Sequence, residues 1–145
     1  MFKKILVPTD GSELAQKAAE VAAELAKSQG AEVVGVFVID PFPYIGIGDA
    51  SAAGLQAYMS EAHSASGKAL EALGHVCKAQ GVVCAGDTIE RNVVYEGIIE
   101  TAKAEGCDLI VMGSHGRQGV QALILGSVAQ KVLTHSDTPV LIVKP

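Results

Sequence analysis

Short apolar runs and amphipathic stretches alternate along this chain from end to end, and that alternation constrains the fold more than any motif does. "KKILVPTD" reads as a buried strand over residues 3–8, ended by Pro8. In the stretch that follows, Leu14, Ala18, Val21, Ala22 and Leu25 recur at helical spacing. Ser12 suits the N-cap of that helix, Glu13 its first turn and Gly30 its stop. "AEVVGVFVID" predicts a second strand over 32–39. Strand, helix and strand in this order imply a right-handed crossover and a parallel sheet. A long helix is predicted over 54–79; Gly67 and Gly74 weaken its interior and leave both a continuous helix and a kink or early break open. "GVVCAGDTIE" reads as a third strand, "VVYEGIIETAKAEG" as a helix closed by Gly106, and "CDLIVMGS" as a fourth strand. "SVAQKVLTHS" puts Val128, Val132 and Leu133 on one helical face. "TPVLIVKP" is a final strand opened by Pro139, where a missing N–H is tolerable. The order β-α-β-α-β-α-β-α-β defines an α/β doubly wound sheet with helices on both faces.

Composition narrows the class further. The 145 residues suit one domain over 1–145, large enough to bury a core without disulfides or metal. Hydrophobic residues make up 49% with no tryptophan, so Val, Ile, Leu and Ala must build that core. The net charge of −5 comes with no visible basic patch, which argues against nucleic acid. Cys77, Cys84 and Cys107 form neither a C-x-x-C nor a zinc spacing. They read as reduced, mostly buried thiols, which suits a cytoplasmic location. The apolar run at the N-terminus is too short for a signal peptide, and no run reaches membrane-spanning length. Neither secretion nor a membrane is expected.

In doubly wound sheets ligands bind beyond the carboxyl ends of the strands, where strand order reverses. Three segments qualify: Pro8-Thr9-Asp10-Gly11, Val38-Ile39-Asp40, and Gly113 onward. The last opens "GSHGRQGVQALILGS", whose glycines are costly in ordered structure. Bare backbone N–H groups can approach phosphate oxygens, and a helix beginning near Ser127 would add its positive end. The spacing of Gly113, Gly116 and Gly119 is not G-x-G-x-x-G, and no Walker A loop or G-x-S-x-G elbow occurs. The segment "DPFPYIGIGDASAAG", 40–54, holds too much proline and glycine for a regular element and is expected to be a loop. Both a lid and a tolerated surface insertion fit it.

The spacing that does stand here is G-x2-G-x9-G-S: Gly113, Gly116, Gly126 and Ser127. With "KKILVPTDGS" and "VFVID" it closely resembles the universal stress protein family in its ATP-binding branch, over essentially the whole chain. The resemblance implies a three-layer Rossmann-like fold of the adenine nucleotide alpha hydrolase-like type, with a five-stranded parallel sheet in the order 3-2-1-4-5. It also implies ATP or another adenine nucleotide as ligand. Asp10 would accept from the ribose hydroxyls, with Pro8 and Thr9 shaping the adenosine site. Val38 would meet adenine through its backbone. Gly113, Gly116, Gly126, Ser127 and Val128 would hold the phosphates. His115 either lines the phosphate site or is an exposed loop histidine. Mg2+ or Mn2+ would accompany the phosphates, coordinated mainly by water and phosphate oxygens. In place of the family's common Gly-x-Pro turn after the third strand stands Glu90-Arg91-Asn92-Val93, which puts one edge of the pocket in question. The final strand, apolar on both faces, would pair with its copy in a homodimer.

Three functional readings follow. The leading one is a nucleotide-dependent regulatory module of the stress response, with an unidentified protein partner. The second is a slow ATP hydrolase, for which no catalytic constellation stands out. The third is a dimeric interaction module independent of nucleotide, against which the intact glycine motif speaks.

Overall fold

The computed structural model describes residues 1–41, 52–116 and 125–145. The strands are β1 (Lys4–Pro8), β2 (Glu32–Ile39), β3 (Cys84–Glu90), β4 (Leu109–Gly113) and β5 (Val140–Val143). The helices are α1 (Glu13–Gln29), α2 (Ala52–Gln80), α3 (Val94–Ala104) and α4 (Ser127–His135). All strands are parallel, in the order β3-β2-β1-β4-β5. The chain thus has the α/β fold, and the sheet order, that its resemblance implied.

The sheet is buried on both faces, as parallel sheets require. Ile5, Val7, Val33 and Val111 point to the side covered by α1 and α2. Leu6, Val34, Val36, Ile110 and Met112 point to the side covered by α3 and α4. This alternation along each strand produces the three layers. At the other end of the strands, the Asp108 carboxylate accepts from the backbone N–H groups of Lys3 and Lys4, at 2.9 and 3.1 Å for the shorter bonds. It ties the start of β1 to the start of β4.

The helix ends follow their local chemistry. Ser12 caps α1, its Oγ accepting from the Ala15 N–H at 3.2 Å. Gly30 closes it at φ 69°, a left-handed conformation that favours glycine. The buried face of α1 differs from the expected one. Ala15, Ala18, Ala19, Ala22, Ala23 and Ala26 are buried, while Leu14, Val21 and Leu25 are only partly so and pack at the flanks. Small side chains let the helix axis approach the sheet, and the larger ones seal the margin.

The long helix read over 54–79 forms as α2, Ala52–Gln80, and is not cut short at either glycine. The helix is continuous through Gly67 and Gly74, beside which a Cβ would meet nothing within 4 Å. Packing does not require glycine at either place, and the helix is held by its buried row Ser66, Ala69, Leu73 and Cys77. The row sits low on the sheet because Gly35 has no Cβ. One there would overlap the Leu73 Cδ2 and come within 3.1 Å of the Leu70 Cδ2. Ser66 and Thr88 join the helix to β3 by a hydroxyl–hydroxyl hydrogen bond. Of the loop expected over 40–54, residues 42–51 lie outside the described residues, and 52–54 already belong to α2. The Tyr58 hydroxyl donates to the Asp40 carbonyl at 2.8 Å, anchoring α2 to the end of β2.

On α4 the inward face is Ala129 and Val132, with Val128 partly buried. Leu133, expected on that face, is 43% exposed, because the next residue round the helix already points away from the sheet. Among the described residues no helix is long and apolar enough to cross a membrane.

The cysteines are free; Cys77 and Cys107 are buried and Cys84 half-buried. Burial pushes the Cys77 thiol up to about 12, helped by a hydrogen bond with Cys84, and the Cys107 thiol up to about 11. Thiolate is the reactive form, so both should resist alkylation near neutral pH. Iodoacetamide followed by peptide mass spectrometry should modify Cys84 first in the folded chain. Comparable labelling of all three before denaturation would contradict this packing.

Candidate functional site

β1 has β2 on one side and β4 on the other, so the crossovers leave it in opposite directions. This is the switch point of the sheet. β1 pairs with β4 through Ile5–Leu109 and Leu6–Ile110, below their carboxyl ends. Above that pairing a cavity of about 360 Å³ opens, a size suited to a small organic ligand. Its polar end is formed by Thr9, Asp10, Ser114, His115 and Ser127. Its apolar end is formed by Val36, Val38, Met112, Val94 and Ile98.

The two ends arise from different parts of the elements. The apolar end continues the core on the α3/α4 side, since Val36, Met112 and Ile98 belong to both. The polar end begins where strands give way to loops. Thr9 extends β1, its N–H donating to the Val36 carbonyl at 2.9 Å. Gly11 then turns with φ 81°, its N–H donating to Thr9 Oγ1 at 3.1 Å. Asp10 Oδ1 accepts from the Ser12 N–H at 3.0 Å, which fixes the carboxylate beside the start of α1.

The residues that the resemblance assigned to a ligand all line this one cavity: Pro8, Thr9, Asp10, Val38, Gly113, His115, Gly116, Gly126, Ser127 and Val128; Gly11, Ile39 and Asp40 do not line it. Gly126 is the N-cap of α4, in extended conformation, and its N–H donates to the Ser114 carbonyl at 2.7 Å. The first N–H groups of α4 therefore open beside the end of β4. Arg117 and Gly119, and the spacer "VQALIL" except Leu125, lie outside the described residues. Leu125 packs against the core on the α3/α4 side.

The glycines of the motif have a second explanation in the protein itself. Among the described residues, left-handed glycines are Gly11, Gly30, Gly81 and Gly106, so Gly113, Gly116 and Gly126 are not kept for an unusual φ. They are kept by crowding. A Cβ at Gly113 would lie 2.9 Å from Leu14 Cγ, and one at Gly126 would lie 2.9 Å from the Ser114 carbonyl oxygen. A Cβ at Gly116 would overlap the Asp10 carboxylate. Two of these neighbours, Leu14 and Asp10, come from a segment about a hundred residues away in the chain.

His115 is half-buried and lines the cavity, so it is not an exposed loop histidine. Its Nδ1 lies 2.9 Å from Ser114 Oγ, and its buried Nε2 has no hydrogen-bond partner among the described residues. The Glu90–Val93 turn forms without the family's proline. The Arg91 N–H donates to the Ile39 carbonyl at 3.0 Å, and Arg91 Nε donates to Glu100 at 2.9 Å. Val94, the first residue of α3, still reaches the cavity.

Some lining residues escaped the sequence reading. Val36 could have been found, standing on the same strand face as Val38. Ser114 is fully buried directly after Gly113 but carries no motif signal of its own. Val94 and Ile98 could not, because only the packing of α3 brings them to this strand end.

A doubly wound parallel sheet with a cavity at its switch point defines an α/β protein of the Rossmann-like class. The universal stress protein family model matches residues 1–144, and the chain belongs to that family. Universal stress protein MJ0531 of Methanocaldococcus jannaschii is 37% identical over 145 residues, covering 99% of this chain and 83% of that protein. The solved structure of a second protein of that organism, universal stress protein MJ0577, aligns with TM-score 0.88 at 29% identity. It covers 100% of this chain and 97% of that one. Two further universal stress proteins share the fold at lower identity. One was solved with cAMP (TM-score 0.70, 23% identity, 99% of this chain and 97% of that one). The other, from Archaeoglobus fulgidus, was solved with dAMP (TM-score 0.68, 22% identity, 98% of each).

Crowding at Gly126 generates a test. Gly126→Ala should lower stability by about 1–3 kcal/mol without any ligand present, because the obstructing atom is backbone. Urea denaturation of the two chains would measure it, and equal midpoints would show that α4 can shift away at little cost.

Proposed function

We propose that the chain binds an adenine nucleotide, ATP foremost, in the switch-point cavity and serves as a nucleotide-dependent regulatory module of the stress response. The observation that carries this reading is the division of the cavity. An apolar slot of Val36, Val38, Val94, Ile98 and Met112 suits a flat, uncharged base. The opposite end offers the α4 N-terminus, Ser127 and the backbone around Gly113 and Gly116, which suit phosphate. Asp10 stands at the polar end, its carboxylate beside Gly116, and offers acceptors of the kind a ribose needs. That other universal stress proteins were solved with cAMP and dAMP is consistent with this ligand class.

Among the described residues no three His, Cys, Asp or Glu side chains stand together to hold a metal ion. A Mg2+ or Mn2+ ion arriving with the nucleotide would therefore rely on phosphate and water oxygens. The site residues bind and orient; the reading assigns none of them to bond cleavage.

Releasing small molecules from the freshly purified, denatured protein should yield an adenine nucleotide by mass spectrometry. ADP together with measurable turnover would move the reading to a slow hydrolase. An empty site that also ignores added ATP would sink both. Asp10→Asn is the sharper variant, since it keeps an acceptor for the Ser12 N–H and removes a charged acceptor for ribose. It should weaken ATP binding about tenfold by calorimetry.

The proposal extends to assembly. β5 is an edge strand within this chain, and Leu141 on it is 38% exposed. Pairing with β5 of a second copy would cover that edge in an isologous homodimer. Light scattering should give twice the chain mass for the native protein and the monomer mass for Leu141→Lys. A native protein that stays monomeric at high concentration would remove this part of the reading.

A further inference from the structure

His115 presents a buried Nε2 with no partner among the described residues, yet it is held firmly in place. Its neighbour Ser114 is fully buried and tied by its backbone on two sides. The Ser114 N–H donates to the Val143 carbonyl at 2.9 Å, and the Ser114 carbonyl accepts from the Gly126 N–H at 2.7 Å. Those bonds leave the Ser114 hydroxyl facing His115 Nδ1 at 2.9 Å. A buried hydroxyl proton needs an acceptor. Nδ1 is the partner Ser114 Oγ has among the described residues, so Oγ–H donates and Nδ1 accepts. In the neutral ring the remaining proton then sits on Nε2.

We infer that Ser114 is a positioning residue that holds His115 as the Nε2–H tautomer, so that His115 serves as a neutral hydrogen-bond donor to a phosphate oxygen of the ligand. The inference rests on the nucleotide reading above and adds a specific donor to it. Location selects phosphate over base or sugar. His115 stands against the N-cap of α4: a Cβ at Gly126 would come within 3.4 Å of His115 Cα and 3.7 Å of its Cδ2. The nine-residue helix α4 presents its unpaired N–H groups at that end. The orphaned Nε2 is a second, independent mark of the same place. Nε2 has almost no accessible surface, so a small turn of the ring is needed for an anionic oxygen at that end to complete the partners of both the helix terminus and the ring.

Two measurements test this, and they fail separately. Long-range 1H–15N NMR of the ligand-free chain at about pH 8, above the usual histidine range, reads the tautomer directly. Wild type should show His115 protonated at Nε2, and Ser114→Ala should shift it toward a mixture of tautomers. A wild-type ring protonated at Nδ1 overturns the inference whatever the ligand. Calorimetry with ATP and with adenosine then reads the donor. His115→Phe should cut the preference for ATP over adenosine about tenfold. His115→Gln, which keeps an N–H near the Nε2 position, should retain most of it. An unchanged preference in His115→Phe, with ATP still bound, overturns the inference and leaves the nucleotide reading standing. A wild-type chain that binds neither compound overturns both.

Discussion

The contact between Gly126 and Ser114 is the joint on which the site depends. A backbone N–H meets a backbone carbonyl at 2.7 Å, with no room for a Cβ between the two segments. Through it the N-terminus of α4 is clamped to the end of β4. Ser114 is in turn bonded to Val143, so β4, β5 and α4 meet at one buried residue. Move any of the three and the polar end of the cavity loses its shape. This is why a serine with no motif signal matters as much as the glycines around it.

The same economy of side chains recurs across the sheet. α1 lays a row of alanines on the sheet, while α2 settles its leucines over Gly35 and Gly86. Close packing of this kind leaves few ways to shift a helix without overlap. The rigid layers hold the strand ends in a fixed relation, and the cavity inherits that rigidity. Its apolar half is core that was never closed over. Its polar half is built from the loop residues that follow each strand, whose backbone groups are no longer consumed by the sheet.

On the proposed reading, ligand affinity and fold stability are entangled at the glycines. Substitution at Gly126 strikes the α4–β4 joint before it strikes any phosphate. Asp10 and His115 are better probes, because each can be altered while a matching acceptor or donor is kept.

The order of strands and helices was legible in the sequence, because hydrophobic period and capping residues are local signals. Ser12, Gly30 and the strand over 32–39 stand where that reading put them. The three strand-end segments were legible too, since a doubly wound sheet must bring them together. Other features belonged to the tertiary structure alone. Periodicity could not tell that alanines rather than Leu14, Val21 and Leu25 form the centre of the α1 contact. It could not keep α2 unbroken through two glycines, nor turn Leu133 outward. Nor could it give the reason for the motif's glycines, which lies in Leu14, Asp10 and Ser114. The physical cause is the same each time. Spacing along a chain encodes which face a residue occupies, whereas a close approach between distant segments exists only once both have been packed.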